Sequence, residues 1–86
     1  MKKVIVRTVT LHYVGEVVEG HVGQLPGSIA LRRCSWVADT GRWSVALATG
    51  QLGEVEPYPP EDVVEIGAGA IVDIAPWHHG LPTAAK

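Results

Sequence analysis

Thr8-Val9-Thr10-Leu11-His12-Tyr13-Val14-Gly15-Glu16-Val17-Val18 decides the class of fold. Val9, Leu11 and Tyr13 alternate with Thr8, Thr10 and His12, and a period of two marks a strand with one apolar and one polar face. The alternation predicts a first strand over residues 3–14. Gly15 then predicts a bend or bulge, and Glu16 to Val22 a second strand with further curvature at Gly20. Gly23-Gln24-Leu25-Pro26-Gly27 reads as a turn, because proline fixes φ and glycine accepts a positive one. A third strand is expected over residues 28–37, with Ile29, Leu31 and Val37 on one side and Arg32, Cys34 and Trp36 on the other.

Residues 39–50 leave this pattern. Asp39 or Thr40 can cap a short helix, Trp43, Ala46 and Leu47 share its inner face, and Gly50 stands where a C-terminal glycine belongs. So short a helix must dock on the sheet through Trp43 and Leu47. The prolines of Glu54-Val55-Glu56-Pro57-Tyr58-Pro59-Pro60 predict an extended or turn segment outside the strand pattern. Two last strands, 61–66 and 70–74, flank Gly67-Ala68-Gly69, and residues 76–86 form a tail anchored by Trp77. The expectation is a mainly β chain: a strongly bent, five-stranded small barrel, one domain over 1–86, with an inserted helix and proline-rich segment at 39–60.

Composition agrees. Thirteen valines and five isoleucines in 86 residues favour sheet. With 47% apolar and 19% charged residues the chain folds, but so short a chain builds a thin core. The single cysteine, Cys34, has no partner for an internal disulfide, and one cysteine with four histidines does not spell a structural zinc site. No cofactor is called for. Self-association is the remaining way to supplement the core. A net charge of −2 argues against a basic duplex-DNA binder. Residues 1–50 carry six of the seven cationic side chains and three acidic ones, residues 51–86 one and six, so unlike halves can meet between subunits. Arg7 interrupts the apolar start too early for a signal peptide, and no stretch is long enough to span a bilayer. A free thiol fits a reducing, cytoplasmic setting, or the host cytoplasm or virion for a phage-encoded chain.

Residues with chemical potential are few. His78-His79 is the one candidate ligand or metal pair, although neighbours in an extended segment point apart and only repetition around a ring axis gathers them. A packed Trp77 beside two solvated histidines is the plainer reading. Arg7, Arg32 and Arg33, with Lys2-Lys3, are the candidate nucleic-acid contacts. Trp36, Trp43, Trp77, Ile66 and Ile71 are candidate packing or oligomer positions. Asp39 with Arg42 and Asp73 is explained by capping and ion pairing. Gly67-Ala68-Gly69 lacks the following helix of a phosphate cradle.

Tyr13-Val14-Gly15-Glu16-Val17-Val18 followed by Ser28-Ile29-Ala30-Leu31-Arg32-Arg33-Cys34 resembles the first motif of Sm-like proteins, and residues 64–74 resemble the second. The resemblance covers roughly residues 9–38 and 61–75, and implies a five-stranded barrel whose copies join strand to strand in a ring. It does not carry the family's RNA site. The chain contains no asparagine, Ile66 stands before Gly67 where an arginine is expected, the leading helix is missing, and residues 39–60 are an insertion. Residues 36–42 and 54–57 also resemble small uncharacterised phage and prophage proteins. The function expected is a non-enzymatic, ring-forming structural or interaction protein whose partner is itself, or a protein of a larger assembly, with no membrane partner. The alternatives are a single-stranded RNA-binding ring and a metal-dependent hydrolase with an intersubunit site.

Overall fold

The computed structural model describes residues 2–21, 23 and 27–86. Among them, six strands and one short α-helix follow in the order β1 (Lys3–Thr8), β2 (His12–Val17), β3 (Ile29–Asp39), α1 (Trp43–Thr49), β4 (Glu54–Pro57), β5 (Val64–Ile66) and β6 (Ile71–Pro76). All strand pairs are antiparallel, in the order β4-β3-β2-β1-β6, with β5 also on β3. The chain is thus mainly β as expected, but the sheet is not a closed five-stranded barrel. It has six strands, and among the described residues no pairing joins β4 or β5 to β6.

The predicted first strand is two strands. Leu11 O accepts from both the Thr8 amide, at 2.9 Å, and the Thr8 hydroxyl, while the Leu11 amide donates to Thr8 Oγ1 at 3.2 Å. A threonine that bonds its own backbone neighbours offers the chain a turn in place of a ladder. Val9 is therefore 74% exposed at the turn, not part of a core face. The hairpin sets Ile5 opposite Val14 and Arg7 opposite His12. Val4, Ile5 and Val6 are all buried, as expected of a strand covered on both faces. β2 ends at Val17, short of the predicted limit, and the chain turns through Gly20 at φ 71°. Val22 and the Gln24-Leu25-Pro26 part of the predicted turn lie outside the described residues.

In β3 a bulge breaks the predicted alternation. Val14 pairs with Ser35 and Glu16 with Arg32, so Arg33 and Cys34 together oppose Gly15. Gly15 suits this close approach, since a Cβ would lie 3.2 Å from Arg32 O, Cys34 Cα and Leu31 Cβ, tighter than an ordinary contact. The extra residue puts Leu31 and Cys34 in one core and Val37 in the other, where the sequence reading set Leu31 with Val37. It also lets β3 serve two partners on one side: β5 along Ile29–Leu31 and β4 along Ser35–Asp39.

β4 is the strand the prolines concealed. Val55 pairs with Val37, and Pro57 ends the strand, where a missing amide costs least. Helix α1 starts later than predicted. Arg42 is its N-cap without a side-chain bond, and Asp39 ends β3 and accepts from the Gly41 amide at 2.8 Å. Its end follows the expectation: Gly50 takes φ 80° and donates to Ala46 O at 2.8 Å. Gly67-Ala68-Gly69 leads through a 3-10 turn, Ala68–Ala70, into β6. No helix is long and apolar enough to cross a membrane among the described residues.

Each sheet face carries its own core. One gathers Ile5, Val14, Val37 and Val55 under Ala46 of α1, Leu52 and Trp77, with Trp43, Leu47 and Leu81 at its margin. The other gathers Val4, Val6, Leu31, Cys34 and Ile66, flanked by Tyr13, Tyr58 and Ile71. Among the described residues no α-helix covers this second core.

Candidate functional site

β6 is the structural feature that asks for an explanation. Among the described residues it pairs with β1 alone, Val6 facing Ile74 and Arg7 facing Asp73. Ile74, opposite Val6, lies on the face of the second core, and Val72 is the extra residue where the register shifts; they stay 47% and 54% exposed. Ile71, at the start of the strand, packs on that core. Backbone groups along the outer side of β6, beside two exposed branched side chains, are the template that an incoming strand needs. Among the described residues β5 likewise has one strand neighbour, β3. The far edge of β4 is finished differently: Val55 exchanges two 3.0 Å backbone bonds with Lys86, which closes that edge with the tail.

The predicted histidine pair is divided. His78 is exposed, whereas His79 is half-buried with its ring edge on Trp77 at 5.1 Å between centroids. His79 Nε2 lies 2.8 Å from Leu47 O, so it carries a proton and donates to one of the last carbonyls of α1. The backbone of His79 accepts from Lys3 Nζ, and Trp77 Nε1 donates to Gly80 O at 3.1 Å. Trp77 itself is buried in the first core. His79 and Trp77 therefore fasten the tail to the helix and to β1. Among the described residues no three His, Cys, Asp or Glu side chains gather as a metal cage.

The three arginines do not form one strip. Arg7 ion-pairs with Asp73 across β1 and β6 and lies 5.8 Å from the Trp43 ring, which in turn stacks obliquely on His12 at 5.2 Å. Burial and the Arg7 charge hold the His12 pKa below its ordinary value, with Asp73 opposing them. Arg32 sits at the other end of the sheet, in the row Lys3-Glu16-Arg32, with Nη2 3.6 Å from Glu16. Arg33 leaves the row at the bulge and lines a groove beside the proline-rich segment.

No protein-family model, curated protein or solved structure matches the chain.

Of the remaining predicted positions, Ile66 is core, Trp43 covers the first core, and Trp36 is half-buried beside Glu56, Pro57 and Tyr58. Sequence reasoning missed Glu16, buried with Oε2 lacking a hydrogen bond, and Ser35, buried with its hydroxyl equally unpartnered. Their signal was weak. Glu16 follows a bend glycine in an apolar strand, and Ser35 is reached only through the bulge. Cys34 is no nucleophile: burial pushes its thiol up to about 12, so it stays protonated at neutral pH.

Proposed function

We propose that the chain is a non-enzymatic structural or interaction protein that works as a homo-oligomer joined strand to strand, the β6 edge of one subunit meeting the β5 edge of the next. Because the two edges differ, the contact is head-to-tail, and repetition closes a ring when the rotation permits. The observation that carries this reading is β6, a strand with one neighbour among the described residues and two half-exposed branched apolar side chains. Natural sheets blunt such edges with charge, proline or a covering segment. The tail does this for β4; on β6 the charge of Asp73 is paired with Arg7 and Pro76 stands at the strand end, so among the described residues no segment covers its outer side.

Native mass spectrometry at micromolar concentration tests the proposal. A single multimer that falls to one chain in Ile74→Lys supports it, and a monomer in the parent protein overturns it. Multimers that form only when single-stranded RNA is added, and that dissolve as salt rises, move the reading to a nucleic-acid-binding ring.

A further inference from the structure

A groove of about 810 Å³ lies between residues 56–61 and residues 81–85, within the size range of sites for small organic ligands. Tyr58, Pro59, Leu81 and Pro82 give it apolar walls, and buried Cys34 contributes to its lining. The 81–85 wall is tied down beyond both ends, by Trp77 Nε1 on Gly80 O and by the Lys86 bonds to Val55. It is a built cavity, assembled from segments far apart in sequence.

Arg33 distinguishes it from a mere fold in the surface. Its φ of 51° makes it the one non-glycine residue with positive φ among the described residues, in a region where glycine is at ease and an arginine is strained. Arg7 and Arg32 each hold a carboxylate, whereas the Arg33 guanidinium makes no hydrogen bond or ion pair among the described residues. Lys3 brings a second positive charge to the groove, with donors to spare beyond the one given to His79 O. Glu56 and Glu61 also line it, so the fixed charges balance and a ligand with one negative charge suits the groove better than a polyphosphate.

We propose that this groove binds a small amphipathic monoanion, its apolar body between Tyr58, Pro59 and Pro82 and its acidic head on the Arg33 guanidinium. The β3 bulge, of which Arg33 is part, sets this backbone angle and places the unpaired arginine on the groove wall. The site is independent of the subunit contact, since no β6 residue lines it.

The probe is 8-anilinonaphthalene-1-sulfonate, titrated by fluorescence into the Ile74→Lys background so that oligomer surfaces play no part. Saturable binding of one molecule per chain is expected, displaced by decanoate and not by decyltrimethylammonium. Arg33→Gly suits the backbone angle and removes the guanidinium, so affinity should fall roughly tenfold or more while Tm holds or rises. Arg33→Lys should retain most of the affinity. Thr83→Glu, an exposed change on the opposite wall, should weaken the sulfonate without lowering Tm. Binding as tight in Arg33→Gly as in the parent, or no saturable binding at all, overturns the proposal.

Discussion

The two faces of the sheet are finished in opposite ways. On the first, α1 and the Trp77 segment lie across Ile5, Val14, Val37 and Val55 and leave them 2% exposed or less. On the second, the short β5 brings Val64 and Ile66 against Val4, Val6 and Leu31, and the surface runs out through Tyr13 and Trp36 to Ile74. The covered face holds the subunit together, and the open face with its bare strand edge supplies the surface through which copies are proposed to meet. The same residue types serve both ends. What differs is whether this chain provides the cover.

That contrast predicts unequal costs. Trp77→Ala empties the middle of the covered face and should cost about 3–5 kcal/mol in denaturant unfolding. An equal cost for Ile74→Ala in the isolated subunit would erase the contrast. His79→Ala removes the donor to Leu47 O and one face of the Trp77 packing, and should cost about 1 kcal/mol, read as an earlier urea midpoint at unchanged slope. Ile74→Lys, on the open face, should change subunit stability by less than about 0.5 kcal/mol while abolishing the multimer in native mass spectra.

The smallest effect concerns acid. Because the folded His12 pKa lies below its ordinary 6.5, the unfolded chain takes up this proton first as pH falls. Stability should therefore decline as pH drops from about 6.5 to the folded value, and stay flat with respect to this group above that range. His12→Gln should show a shallower decline over the same window in pH-dependent urea unfolding.

The sequence revealed composition-driven features well and pairing-driven ones poorly. The β bias, the Gly50 helix stop and the packed Trp77 all depend on local propensity or on bulk, and all were readable. The turn at Val9 was not, because alternation continues through it and the decisive Thr8–Leu11 bonds form only when the strand folds back. The bulge at Arg33 was hidden for a related reason. It follows from the close approach of Gly15 on a neighbouring strand, and it reverses the facing of every residue from Cys34 onward. Prolines masked β4, although Val55 is a core residue and Pro57 stands only at the strand end. As for candidate sites, His79 and Arg33 were singled out by type alone. Their roles depend on what the tail brings beside them, which no local pattern encodes.

β1 lies between β2 and β6, and Trp77 N bonds to Lys3 O at 2.9 Å. During synthesis on a ribosome, β1 and its hairpin partner emerge early, while β6 follows some 60 residues later, roughly 3–12 s at ordinary elongation rates. Throughout that interval Val4, Ile5 and Val6 lack the neighbour that completes them. A strand with a buried centre in the finished protein is therefore one that a nascent chain must shield longest, and crowded translation of the same message sets that strand beside identical, equally unfinished copies.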